Sequence, residues 1–429
     1  MKHRGRHRRR RRGRALRAAL AGAALALTGA ATLISTSQAT VADDPGALKP
    51  LTRSTATSAL RLAEERVPGP WLDRLSSAMG RPVDAAAVLA GTDRRLREAA
   101  DCPRADRDAL PVEPAATRAY CWAEADTRGL RPGAVTTSGD ADDDGRWGGK
   151  RVILSAWSRG DGPDAGGTAR VAFIDADDPA RLSYAWALLA VPVDEGRDYR
   201  ELRSPVTGMV WYQDKLLVTA GGPDGGTLYV YDVHRVHRAG VDASAVGRVA
   251  GGWSAAGSRF VLPAVASYRL PGGADAPRLG GISLDRSTAP DSLVASERVP
   301  ADHDRPTRLW RYPFSDDPAR SGLLATDAAG QAPALEAYET RTPEVAGVLS
   351  YGSDWYLARA AGDPDGRGTL WRQDTDGARA ARCGADGTRR CWSGGASPLS
   401  YWEETGEVWS QSGRMLFALP LASVGRSLD

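Results

Sequence analysis

Two stretches of the chain share one pattern: GMVWYQDKLLVTAGGPDGGTLYVYDV at 208–233 and GVLSYGSDWYLARAAGDPDGRGTLWRQD at 347–374. Each has a short apolar run after a glycine, a second apolar run, a turn rich in Gly and Asp, and a third run after Gly-Thr. Short runs of β-branched and aromatic residues between such turns are typical of β-strands. The repeated unit predicts a fold built from several similar antiparallel sheets.

Three weaker copies of the unit contain GAVTT at 133–137, ISLD at 282–285 and LSYW at 399–402. In all five copies a small residue follows the second apolar run. Small side chains at one register indicate a crowded position near an axis, where bulk would clash. These residues are Ser155, Thr219, Ala295, Ala358 and Ser410.

A fourth strand is predicted for four copies, in SYAWALLAVPV, RFVLPAVASYRL, ALEAYET and the region around CWSG. The last copy has only three strands, and we expect TRAYCWAEAD at 117–126 to supply its fourth. Pairing the two chain ends would remove exposed sheet edges. We therefore predict an all-β fold at 117–429, a five-bladed β-propeller closed by an N-terminal strand on the last blade. Six or more blades are the alternative, if 237–258 or 313–333 contain further strands.

A small helical segment is predicted at 43–116, before the propeller. TSALRLAEERV at 57–67 has apolar residues at helical spacing, and PWLDRLSSAMG at 70–80 begins with a proline suited to a helix start. DAAAVLAGTDRRLREAAD at 84–101 has Asp84 as its predicted N-cap.

The first 42 residues carry Lys2 and nine arginines but no acid, and an Ala- and Leu-rich run follows the arginines. This order is typical of a cleaved signal peptide, so we expect residues 1–42 to be removed and the protein to be secreted. The alternative is an N-terminal membrane anchor. The run is short and rich in Ala and Gly, which favours cleavage and no stable membrane span afterwards.

Cleavage leaves 46 basic and 53 acidic residues, so the mature chain has a net charge near −7. An acidic chain repels phosphates, which argues against nucleic acid binding. The remaining cysteines, in an exported chain of even count, favour disulfides, and we prefer the local pairs Cys102–Cys121 and Cys383–Cys391. A zinc site is the alternative, but the spacings do not match one.

The stretch SGDADDDGRWGG at 138–149 contains D-x-D-x-D-G, the opening of many calcium loops. Position 12 of an EF-hand would be a glutamate, whereas here it is Arg151. The alternatives are a calcium loop of another kind, using Asp140, Asp142 and Asp144, or an acidic turn. Calcium is the one cofactor for which the sequence offers candidate ligands, with the acidic turn as the alternative.

The loops between the second and third strands would gather on one face of a propeller, where ligands commonly bind. They contain many aspartates and Asp302-His303, although turns alone also require Gly, Pro and Asp. Near the axis, the predicted ligand-binding residues are Glu297, Arg359 and Gln411.

The repeats are similar to those of NHL and gluconolactonase-type propellers, on the rhythm of a glycine-led strand followed by two further strands. Residues 117–424 also resemble secreted propeller-like proteins of actinobacteria with no assigned function, through GAVTTSGDADDDGRWGG, GMVWY, SLDRSTAPDSLVASE and LWR. These resemblances imply a propeller fold and no particular activity.

Two functions fit the sequence. The first is a secreted, monomeric propeller that binds a glycan, peptide or wall component without catalysis. The second is a propeller hydrolase or lactonase with axial carboxylates, with or without a metal, and Asp285 with Glu297 is the predicted pair. G-x-S-x-G, Walker A and G-x-G-x-x-G motifs are absent from the sequence, which favours binding.

Overall fold

The strands of this protein are mostly short and antiparallel, and they are joined by turns rich in Gly and Asp. We describe a computed structural model, which covers residues 44–52, 54–159, 167–221, 226–272, 276–299, 305–361, 366–395 and 397–428. The predicted signal peptide lies outside these residues. The segment from Ala47 onward forms one compact unit.

Five strands precede the repeats: β1 (Lys49–Pro50), β2 (Leu62–Arg66), β3 (Arg94–Arg95), β4 (Arg97–Glu98) and β5 (Arg118–Cys121). The helices of the described chain are Ser54–Ser58, Gly69–Met79, Ala85–Leu89, Arg104–Arg107, Glu124–Thr127, Ser138–Ala141 and Leu421–Leu428. Short 3₁₀ turns are Ala99–Asp101, Asp194–Gly196, Val233–Arg235 and Pro318–Arg320. Among the described residues, none of the helices is long and apolar enough to span a membrane.

The repeats form antiparallel meanders, which we number in chain order. Meander 1 comprises β6 (Leu130–Thr137), β7 (Val152–Arg159), β8 (Ala169–Asp175) and β9 (Ser183–Val193), extended by β10 (Asp198–Glu201). Meander 2 comprises β11 (Val206–Tyr212), β12 (Lys215–Ala220), β13 (Thr227–Asp232) and β17 (Phe260–Arg269). Three shorter strands lie between β13 and β17 in the sequence: β14 (His237–Arg238), β15 (Val246–Val249) and β16 (Gly252–Ala255).

Meander 3 comprises β18 (Leu279–Asp285), β19 (Ser292–Glu297), β20 (Thr307–Pro313) and, after β21 (Gln331–Ala332), β22 (Glu336–Thr340). Meander 4 comprises β23 (Val345–Tyr351), β24 (Asp354–Arg359), β25 (Thr369–Gln373) and β26 (Ala378–Ala380). Meander 5 comprises β27 (Ser400–Trp402), β28 (Glu407–Ser412) and β29 (Met415–Pro420).

The predicted closing strand is confirmed, because β5 pairs antiparallel with β29, with Cys121 opposite Met415. Both predicted disulfides, Cys102–Cys121 and Cys383–Cys391, are also confirmed. The first disulfide covalently joins the closing strand to the chain before it. Two distant parts of the sequence therefore share one sheet.

Each pair of consecutive meanders shares a hydrophobic cluster. Met209 of meander 2 packs with Ala134 and Leu154 of meander 1, for example, and Leu349 of meander 4 packs with Leu399 of meander 5. A further cluster joins the last meander to the first and includes Trp122 of the closing segment. The meanders therefore contact one another in chain order, and the last contacts the first.

The close approach of neighbouring meanders requires glycine in their first strands. A Cβ on Gly133 would lie 1.9 Å from the carbonyl oxygen of Val206, and one on Gly347 would lie 1.9 Å from that of Ser397. Between meanders 2 and 3, a Cβ on Gly208 would lie 2.6 Å from the backbone nitrogen of Ile282. A side chain at these positions would push the meanders apart.

The five small residues of the repeat are all fully buried in the second strands. Thr219 donates a hydrogen bond to the carbonyl of Gly280 at 3.1 Å, and Ser155 donates one to Gln411. Both bonds cross from one meander to the next. The small-residue register thus marks tight contacts between meanders, two of which are also hydrogen bonded.

The helical prediction for 43–116 is wrong in part. The helix Gly69–Met79 is confirmed, and Asp84 caps Ala85–Leu89 by accepting from the backbone N–H of Ala87 at 2.7 Å. Leu62–Arg66, however, is the strand β2, because β17 offers it an unpaired edge and Ala266 lies opposite Arg66. Residues 94–98 likewise form strands that pair with β9 and β5 rather than a continued helix.

One predicted fourth strand is also misplaced. In meander 4 the outermost strand is β26, Ala378–Ala380, which pairs with β25. The CWSG region contributes only a bridge between Gly368 and Trp392. The disulfide-bonded loop between them separates the two segments, and the sequence pattern favoured the wrong one.

We predict that Gly133→Ala and Gly347→Ala each lower the free energy of unfolding by about 3 kcal/mol, because the new methyl group would overlap a backbone carbonyl. Urea denaturation measures the change. Gly240→Ala is the matched control, since nothing lies within 4 Å of its Cβ position. Equal stability of Gly133→Ala and the control would contradict the close approach.

Candidate functional site

A cavity of about 570 Å³ lies where the first strands of meanders 1 to 4 begin and where the second strands of three of them end. We call it the mouth cavity. Its walls come from residues 131–133, 158–159, 205–207, 280–281, 298–299, 344–346 and 360. Four separate meanders therefore contribute to one concave surface.

The walls of the mouth cavity are apolar or backbone, and its charged residues are mostly arginines. Pro132, Pro205, Val299 and Val345 provide apolar surface, of which the two valines are buried. The strands place glycines between these side chains, as at Gly281, so backbone also lines the cavity. The arrangement resembles ordinary ligand pockets, in which apolar walls surround a few polar groups.

Three arginines line the mouth cavity: Arg131, Arg159 and Arg298. All three are exposed. The single acid among the lining residues, Glu344, lies 3.6 Å from the guanidinium of Arg359. Among the described lining residues, arginines therefore outnumber acids by three to one.

The repeat itself places these arginines. Arg159 and Arg359 end the second strands of meanders 1 and 4, and Arg298 directly follows that of meander 3. Of these arginines, only Arg359 was predicted from the sequence, whereas Arg131, Arg159 and Arg298 were not. The recurrence of arginine at the end of the second apolar run was the signal that would have found two of them.

The structure does not bring the predicted pair of carboxylates, Asp285 and Glu297, together. Asp285 lies opposite Ser292 and Glu297 lies opposite Leu279, so the two acids are at opposite ends of one hairpin. Five residues of extended strand separate the carboxyls by about 17 Å, whereas glycosidases need about 5–10 Å. The sequence could not show this, because hairpin register decides which end each residue occupies.

Each of these acids is buried against arginine. Asp285 accepts hydrogen bonds from Arg311 and Ser287. Glu297 is fully buried and accepts from Arg305 at 2.8 Å and from Arg308 at 2.9 Å. These ion pairs compensate the burial of both charges, as buried carboxylates require.

Gln411 does not line the mouth cavity. It is fully buried and accepts the hydrogen bond from Ser155, and among the described residues its Nε2 has no partner. It thus links meanders 5 and 1 rather than meeting a ligand at the mouth cavity. Arg359 adjoins the mouth cavity through its contact with Glu344.

Asp302 and His303 lie outside the described residues. The same holds for the other aspartates of these loops: Asp161, Asp164, Asp224, Asp304, Asp363 and Asp365. Their predicted role in ligand binding stays a prediction.

The acidic loop 138–149 does not bring its three predicted metal ligands together. Asp140 is buried and accepts from Thr136 at 2.5 Å and from Ser400 at 2.9 Å. Asp142 and Asp144 are exposed and accept from backbone N–H groups of their own loop. Within the described ranges, no group of three His, Cys, Asp or Glu could hold a metal, and calcium binding stays a prediction.

Asp140 instead joins several meanders. Thr136 Oγ1, which donates to Asp140, accepts the backbone N–H of Trp211 in meander 2 at 3.0 Å. Ser400 belongs to meander 5, and Arg286 of meander 3 donates to the Asp140 carbonyl at 2.9 Å. One short helix therefore connects four meanders.

Burial raises the pKa of Asp140 to about 6, although the hydrogen bonds from Thr136 and Ser400 and the charge of Arg286 act in the opposite direction. A buried carboxyl loses hydration that its charged form needs. Asp140 is therefore protonated in mildly acidic solution, where an exposed aspartate is ionised.

Five tryptophans that could in principle stack on a sugar ring are buried. Trp147 and Trp253 are each 8% exposed and Trp402 is 2% exposed. Trp310 and Trp371, in the third strands of meanders 3 and 4, also lie in the core. None of these five indole rings offers a face on which a sugar could stack.

Comparison with known proteins adds no assignment. No protein-family model matches the chain, and no curated protein matches it significantly.

We predict that the contribution of Asp140 to the free energy of unfolding falls as the pH rises from 4 to 6, because the unfolded chain ionises Asp140 before the folded chain does. Its contribution is complete below pH 4 and lost above pH 6, with a magnitude on the order of 3 kcal/mol. Urea denaturation between pH 4 and pH 7 measures it.

Asp140→Asn mimics the protonated carboxyl and removes this part of the pH dependence. Asp142→Asn, which changes an exposed acid of the same loop, keeps the wild-type profile. If the free energy of unfolding changed with pH in the same way for the wild type and Asp140→Asn, folding would not raise the pKa of Asp140.

Proposed function

We propose that the meanders are the blades of a five-bladed β-propeller, and that this protein is secreted and binds an extracellular ligand at the mouth cavity without catalysis. The observation that carries the proposal is the mouth cavity itself, to which four meanders contribute. Ligands bind preferentially in concave sites where several elements converge. The ligand classes are those expected from the sequence: a glycan, a peptide or a wall component.

Secretion is supported by the basic and apolar N-terminus and by the two disulfides, since disulfides persist in oxidising compartments. The resemblance to secreted propeller-like proteins of actinobacteria belongs to the same proposal. A monomer is part of the proposal too. The last meander packs against the first, so those two surfaces are already covered within one chain.

The alternative is a propeller hydrolase or lactonase. Such an enzyme would need acids that face one pocket, with or without a metal. Asp285 and Glu297 lie far apart, and each is held by arginine. This separation favours binding over hydrolysis.

The experiment that tests the proposal compares the wild type with Ala360→Trp on an array of glycans, peptides and wall polysaccharides. Ala360 lines the mouth cavity, and an indole there would occupy part of the space that a ligand needs. We expect the wild type to retain at least one ligand and Ala360→Trp to lose it by tenfold or more in Kd. Mass spectrometry of the bound ligand should show no chemical change.

The matched control is Ala289→Trp, which places the same side chain in a separate cavity of about 660 Å³, lined by Tyr212, Gln213 and Asp291 among others. It should bind the ligand as the wild type does. A ligand whose affinity falls only in Ala289→Trp would move the site to that cavity. Turnover of the ligand by the wild type would favour the enzyme instead.

A further inference from the structure

We infer that the ligand of the mouth cavity is an anion, with a carboxylate or phosphate group that the arginines bind. This inference rests on the proposed function and specifies the chemical class of its ligand. The observation that carries it is the convergence of Arg159 and Arg298, from two meanders, on one cavity that has one acid among its described lining residues.

The charge of that acid is already opposed. Glu344 faces Arg359 at 3.6 Å, so it does not neutralise the arginines across the cavity. Within the part of the chain that the structure describes, no ion pair joins Arg159 or Arg298 to an acid. Elsewhere the described arginines often meet acids directly, as Arg308 meets Glu297 at 2.9 Å.

Guanidinium groups suit this role because they present several donors in one plane. They bind carboxylates and phosphates through two parallel hydrogen bonds, which gives both affinity and orientation. Arg159 and Arg298 extend from different meanders, so one anion placed between them could meet donors from two directions.

The apolar walls strengthen the attraction. Val299 and Val345 are buried in the lining, and charges beside apolar surface are screened less than charges in open water. Proline and valine side chains would also contact the uncharged part of a ligand. An anionic group on a partly apolar molecule is therefore the chemistry that fits the whole cavity.

The net charge of the protein makes this cationic cavity selective. A chain near −7 repels anions over most of its surface, as counted for the predicted mature chain of 46 basic and 53 acidic residues. An anion would then gain affinity only where the arginines converge. Nonspecific adsorption of polyanions is not expected.

The test titrates the purified protein with inorganic phosphate, with succinate and with uncharged glucose, at constant ionic strength, by isothermal titration calorimetry. We expect phosphate or succinate to bind and glucose not to bind. The difference between the phosphate and succinate arms identifies which of the two anionic groups the cavity prefers.

The decisive variant is the double substitution Arg159→Gln with Arg298→Gln. We expect its Kd for the preferred anion to rise at least tenfold, as the loss of hydrogen bonds to a charged group requires. Arg181→Gln with Arg426→Gln removes the same charge from exposed positions outside the lining and should keep the wild-type Kd.

Two results would overturn the inference. Absence of binding by both anions would mean that other acids, such as those of the neighbouring loops, neutralise the arginines. Equal weakening in both double variants would mean that the effect is one of total charge. Arg298→Lys is the control for loss of binding through misfolding. It keeps the positive charge and should therefore weaken binding less than the double glutamine variant.

The failure of the inference and the failure of the proposed function are distinguishable. A ligand whose binding is lost in Ala360→Trp but unchanged in the arginine variants would support the mouth cavity as the site and contradict an anionic ligand. A ligand whose affinity does not change in Ala360→Trp would contradict the proposal that the mouth cavity is the binding site.

Discussion

The close approach of neighbouring first strands is the constraint on which the rest of this structure depends. Gly133 and Gly347 each lie so near a carbonyl of the next meander that a Cβ would overlap it. Glycine alone permits this approach, since any other residue adds a carbon at that point. Because the first strands meet so closely, the small residues behind them are buried and the hydrophobic clusters between meanders can form.

Polar contacts then link meanders that the apolar clusters hold together. Asp140, buried beside Thr136 and Ser400, connects the first meander with the last, and Arg286 reaches the same helix from the third. Such a carboxyl could equally have served a metal, and the neighbouring aspartates suggested one. Its burial and its hydrogen bonds from Thr136 and Ser400 make it a contact between meanders, and burial raises its pKa.

The same assembly produces the mouth cavity. The second strand of a meander ends near the start of the neighbouring first strands, so residues at that point converge whatever their identity. Here they include Arg159 and Arg298, together with Glu344 and the Arg359 that faces it. The repeat thus supplies the position, and the few side chains at that position supply the chemistry by which a ligand would be recognised.

Local patterns were enough to predict most strands of the repeats, the small-residue register, the closing strand and both disulfides. Strand alternation, turn residues and short cysteine spacings act over a few neighbours, so they can be recognised in the sequence. Only the tertiary structure decided that Leu62–Arg66 is a strand, because the edge of β17 lies two hundred residues away. It also separated Asp285 from Glu297, buried Asp140 and brought the arginines together, since register and contacts between meanders depend on residues that no local pattern connects.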